Sequence, residues 1–135
     1  MVIISELTQE QLTDCLKPFL KKQGFKKRQT TWRKTTVDLI YVLNIQGSQW
    51  NEEDYYINVA IYIKALGEEV NPPEYRCHIR NRIENELYVC SSICEGVSNW
   101  FEKYGDIEEL RILWRNSELP LMVTVDAQNY LNESN

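Results

Sequence analysis

Residues 55–64 read YYINVAIYIK, and this run constrains the fold more than any other part of the chain. Tyr55, Ile57, Val59, Ile61 and Ile63 fall on one parity, and Tyr56, Asn58, Ala60, Tyr62 and Lys64 on the other. Side chains of a strand alternate between two faces, so the first set reads as a core face and the second as an outward face. Upstream, VDLIYVLNIQ is apolar on both parities through Val42, the pattern of a central strand covered on both sides. GSQWNEED separates the two as a loop. Together they define the centre of an antiparallel sheet.

The flanking segments extend that sheet and cover it. Leu7, Leu12, Cys15, Leu16, Phe19 and Leu20 recur at helical spacing, with Ser5 or Thr8 available as a cap and Gly24 as the stop. Pro18 lies inside this pattern, so it either bends the helix or starts a second one. FKKRQTTWRK then reads as one strand with a charged edge, turning at Thr35-Thr36. After the loop GEEVNPP, residues 75–83 read YRCHIRNRI. As a strand, this segment places Arg76, His78, Arg80 and Arg82 on one side. As a helix, Tyr75, Ile79, Ile83 and Leu87 form a stripe. The two periodicities are nearly level, and the open edge of a three-stranded sheet favours the strand. From Cys90 the spacing is helical: one segment stops at Gly105, the next starts at Asp106 with Glu109 in capping-box position, and a last short helix spans about 124–132. The expected fold is α+β, a single domain over residues 1–135. It has an N-terminal helix, a sheet of about four antiparallel strands, and C-terminal helices packing on one sheet face.

Charge narrows the partners. Twenty acidic residues against fifteen basic ones leave a net charge of −5, the opposite of a general nucleic-acid binder. No apolar run approaches the roughly 18 residues of a membrane span, and the first residues lack the features of a signal peptide. The expectation is a cytoplasmic protein whose cysteines, Cys15, Cys77, Cys90 and Cys94, are free. One histidine and scattered thiols give no evident metal site, and no phosphate-cradling glycine loop or nucleophile elbow is present. No cofactor and no catalytic group are therefore assigned, and the balance leans away from an enzyme. The carboxylate pairs read as solvated charge.

What remains is the outward sheet face. Asn44, Gln46, Asn58, Tyr62, Arg76, His78, Arg80 and Arg82 share it on the strand reading, with Ser48 and Trp50 in the adjoining loop. Arginine forks among Asn, Tyr and His suit a carboxylate, a phosphate or an acidic protein patch. Equally, Arg80 and Arg82 could simply balance Glu52, Glu53 or Glu84, because exposed pairs of this kind are common and contribute little.

Several islands resemble a family of small bacterial proteins known as domain of unknown function 4304. They are G-F-K-K at Gly24–Lys27, the pair Thr31-Trp32, Q-x-S-x-W at Gln46, Ser48 and Trp50, then Y-Y-I-N at Tyr55–Asn58, and H-I-R-x-R at His78, Ile79, Arg80 and Arg82. The resemblance spans about residues 12–87. It implies no activity, but it places Gln46, Ser48, Trp50, Asn58, His78, Arg80 and Arg82 in a shared motif, and these are not residue types that a core requires. The resulting expectation is a non-enzymatic interaction module, in its most concrete form an immunity-type antidote bound to a toxin or neighbouring gene product. The alternative is a binder or hydrolase of an anionic small molecule or nucleotide at the Trp50, Asn58, His78 and Arg80 face.

Overall fold

The computed structural model describes residues 8–47, 55–83 and 89–133. The chain enters through α1 (Gln9–Lys22). Thr8 caps it by accepting from the Gln11 amide at 3.1 Å, while the Gln11 side chain accepts from the Thr8 amide at 2.9 Å. Leu12, Leu16 and Leu20, spaced four apart, are all fully buried. Pro18 is accommodated within a continuous helix. The exit is a glycine-dependent stop. Gly24 has φ +95, and the Phe25 amide reaches back to the Leu20 carbonyl at 2.9 Å.

Six antiparallel strands follow among the described residues, in the order β1-β2-β3-β4-β5-β6. They are β1 (Lys26–Arg28), β2 (Thr31–Thr35), β3 (Leu39–Gly47), β4 (Tyr55–Ile63), β5 (Ile79–Ile83) and β6 (Met122–Val123). The central pair β3–β4 is in register from Leu39 opposite Ile63 to Gly47 opposite Tyr55. Two findings raise the expected four strands to six. The segment 25–34 is a tight hairpin rather than one strand, because Gln29 turns the chain at φ 58. Residues 122–123, after Pro120, add a short edge strand beside Ile79 and Arg80.

The helices α2 (Cys90–Tyr104), α3 (Ile107–Arg115) and α4 (Val125–Asn132) complete the fold. Asp106 caps α3 by accepting from the Glu109 amide at 3.0 Å. One sheet face carries Trp32, Leu43, Ile45, Ile57, Val59, Ile61 and Ile79. It meets Leu12, Leu16 and Leu20 of α1 and Ile93, Val97 and Phe101 of α2 in the main core. Among the described residues no helix is long and apolar enough to cross a membrane.

The opposite face departs from a simple solvated surface. Residues 64–77 leave β4 through a 3₁₀ turn (Lys64–Leu66), pass Pro72-Pro73, and return through a second 3₁₀ turn (Glu74–Arg76). This strap covers a second apolar cluster of Ile40, Val42, Ala60, Tyr62 and Cys77. Pro72 is buried, and its carbonyl accepts from Arg33 Nε at 2.9 Å. Both faces of β3 are thus covered near Ile40 and Val42, which accounts for its doubly apolar sequence.

Candidate functional site

The strap splits the residues of the basic stripe. Arg76 belongs to the second 3₁₀ turn, not to a strand, and pairs with Glu69 at 2.8 Å on the surface. Arg80 lies on β5 and holds Glu74 of the strap through two bonds, Nε at 2.8 Å and Nη2 at 3.2 Å. That hydrogen bond to Glu74 raises the Arg80 pKa further above its ordinary value. Among the described residues, Glu69 balances Arg76 and Glu74 balances Arg80. Glu52, Glu53 and Glu84 lie outside the described residues, as do Ser48 and Trp50.

His78 stands just before β5. Its amide donates to the Ile61 carbonyl at 3.0 Å, and its own carbonyl accepts from the Thr124 amide at 2.9 Å. The imidazole Nδ1 accepts from the Ile63 amide at 2.9 Å, which extends the β4–β5 pairing beyond Ile61 to the last residue of β4. The ring packs 4.7 Å from the Tyr62 ring, whose hydroxyl accepts from the Glu69 amide. Burial lowers the His78 pKa, with Asp126 and Glu69 acting in the opposite sense. A neutral ring with Nδ1 already engaged serves as a backbone cap. Next to it, burial pushes the Cys77 thiol up to about 12, so no thiolate nucleophile is available there near neutral pH.

Beyond the strap the strand register builds a polar row on the outer face. Arg28 pairs with Thr31, Thr31 with Asn44, Asn44 with Asn58, and Asn58 with Arg82. Asn44 Nδ2 donates to Thr31 Oγ1 at 2.9 Å. Asn58 is 3% exposed; its Nδ2 donates to Gln46 Oε1 at 3.0 Å and its Oδ1 accepts from Arg82 Nε at 3.1 Å. The Arg82 guanidinium lies 4.3 Å from the Tyr56 ring centroid, a cation–π arrangement. Arg82 has no ion pair among the described residues. The result is a polar row running across five strands with an arginine at each end. Arg28 and Arg82 are four strand spacings apart, roughly 19 Å.

Gln46, Asn58 and Arg82 thus come together, while Tyr62, Arg76, His78 and Arg80 secure the strap. Arg28, Thr31 and Tyr56 were not among the expected site residues. Their signal was the register: once Asn44 faces Asn58, Thr31 and Arg82 take the adjoining places in the row.

A second feature lies at the β1–β2 hairpin. Eight of the chain's 15 Lys and Arg fall between residues 17 and 34, where there is no Asp or Glu. Lys26, Arg28 and Arg33 flank a hollow of about 480 Å³ closed by Val70 and Asn71 of the strap. Burial holds Arg33 below the ordinary guanidinium pKa, and the neighbouring Arg28 acts in the same direction. The segment looks like edge protection in the sequence because its lack of acids shows only when the whole run is counted.

The cysteines also differ from expectation. Cys15 and Cys90 form a disulfide between α1 and α2, with Cα atoms 5.8 Å apart, while Cys77 and Cys94 are free. Packing of the two helices brings together residues separated by 75 positions.

The model of one protein family, a domain of unknown function (DUF4304), matches residues 16–116. No curated protein and no solved structure matches the chain.

Proposed function

The chain belongs to the DUF4304 family, and from that premise we propose that it is a non-enzymatic protein-interaction module that uses the polar row on its outer sheet face. The observation that carries this reading is the row from Arg28 through Asn44 and Asn58 to Arg82. Interface anchors are commonly aromatic or arginine side chains held in place before binding. Tyr56 and Arg82 meet that description, being stacked on each other and fixed through Asn58 and Gln46. Terminal arginines suit a partner that presents carboxylates at a matching separation. The most specific form of the proposal is an antidote that occupies a toxin, and the net charge of −5 favours association with a basic partner domain through the rest of the surface.

The test is co-expression with the product of the adjacent gene, followed by size-exclusion chromatography. A complex should form with the native chain and with Arg76→Glu, and be lost with Arg82→Glu. An antidote would in addition restore growth to cells expressing that product. A complex indifferent to Arg82→Glu, or no complex at all, counts against the proposal.

A second reading is favoured by the hollow beside Lys26, Arg28 and Arg33, where clustered cations suit a phosphorylated or polycarboxylate small molecule. It requires a rise in melting temperature with such an anion that Arg28→Ala abolishes. A flat response across nucleotides and polycarboxylates removes it.

A further inference from the structure

α1 and α2 pack against each other through Leu12 and Leu16 on one helix and Ile93 and Val97 on the other. At one end of this seam three sulfurs converge. Cys15 lies on α1, and Cys90 and Cys94 lie four residues apart on one face of α2. The three Sγ atoms all lie within 4.8 Å of one another, and Cys94 Sγ is 3.9 Å from Cys15 Sγ. We propose that, once the Cys15–Cys90 bond is reduced, Cys15, Cys90 and Cys94 form a three-thiolate site for a soft d¹⁰ cation such as Zn²⁺, Cd²⁺ or Cu⁺.

The sulfur spacing supports this directly. Metal–sulfur bonds of about 2.3 Å require S···S separations of about 3.8 Å in a tetrahedral site and about 4.0 Å in a trigonal one. The Cys15–Cys94 pair already stands at 3.9 Å. Breaking the disulfide frees Cys90 to move to a similar separation, and all three sulfurs already lie within 4.8 Å of one another. A spacing of three residues between Cys90 and Cys94 supplies two ligands from one helix, and α1 supplies the third across the seam.

The chemistry balances in two steps. Two equivalents of a small thiol reduce the Cys15–Cys90 bond; the chain gains two thiols and the small molecule leaves as its disulfide. A divalent cation then forms three metal–sulfur bonds and releases three protons. The same sulfurs cannot serve the disulfide and the metal together, so oxidation excludes the ion.

The test uses the full chain reduced with dithiothreitol, transferred anaerobically to thiol-free buffer and titrated with Cd²⁺. Thiolate-to-metal absorption in the ultraviolet is the readout, with alkylation to count the thiols left reactive. The expected result is one ion per chain and, relative to the metal-free reduced chain, protection of Cys15, Cys90 and Cys94 from alkylation, with Cys77 buried in both forms. Cys77→Ala should bind unchanged, since Cys77 sits in the apolar cluster on the opposite sheet face. Cys94→Ala keeps the Cys15–Cys90 pair, so its oxidised form confirms folding; its reduced form should bind about tenfold or more weakly. Three outcomes would overturn the proposal: less than one ion bound by the reduced native chain, equal affinity in Cys94→Ala, or equal uptake by the oxidised chain.

Discussion

Replacing His78 with phenylalanine isolates one bond at the point where strap, sheet and C-terminal helix meet. The substitution keeps an aromatic ring beside Tyr62 but removes the Nδ1 acceptor of the Ile63 amide. His78 is 9% exposed and Ile63 1%, so water does not readily replace the lost partner. An orphaned buried donor costs about 1–3 kcal/mol. The measurement is urea unfolding followed by tryptophan fluorescence, at pH 8 and again at pH 5.5. The pH dependence has a definite sign. Burial lowers the folded-state pKa below the ordinary histidine value of about 6.5. Between those two values the unfolded chain binds the proton more readily, so the native protein loses stability as pH falls. Asp126 and Glu69, which favour the protonated ring, soften that loss. The phenylalanine ring has no proton to gain, so the gap between variant and native chain should be widest at pH 8. It should narrow on acidification by at most about 1.4 kcal/mol per pH unit. A gap of the same size at both pH values would refute the capping role assigned to His78.

Two further outcomes follow from packing. Trp32→Ala removes a side chain that is 1% exposed in the main core; it should cost about 3–5 kcal/mol in chemical denaturation, a large part of a typical domain's stability. Gly105→Ala would set a Cβ against the Phe101 carbonyl and the Tyr41 hydroxyl, which itself donates to the Gly105 carbonyl; a loss of about 1–3 kcal/mol is expected by thermal or urea unfolding.

The parts of the fold legible in the sequence are those set by local chemistry. Thr8, Leu12, Leu16, Leu20 and Gly24 specify α1 with its cap, face and stop, and the parity of residues 55–63 fixes which side of β4 meets the main core. The β1–β2 hairpin escaped that reading because its turn uses Gln29 and Thr30, with no glycine or asparagine to mark it. The basic stripe misled for another reason. Its even spacing is real, but Pro72 and Pro73 carry the chain across the sheet, so that Arg76 never joins the strand and His78 turns to cap β4. Asn58 and Gln46 were recognised as outward residues. That they adjoin one row with Arg28, Thr31 and Arg82 depended on a register spanning five strands. The Cys15–Cys90 bond was likewise invisible, being created by the packing of two helices far apart in the chain.

The strand order has a kinetic consequence. Among the described residues each of the six strands pairs only with its neighbours in sequence, with no crossover. Loop closure therefore costs little entropy at most steps, and the central hairpin of Leu39–Gly47 and Tyr55–Ile63 can form before anything distant is in place. The exception is β5 with β6, whose partners are separated by two whole helices. Addition of Met122–Val123 to Ile79–Ile83 thus belongs to a late stage of folding, and this edge is where the native sheet should open first.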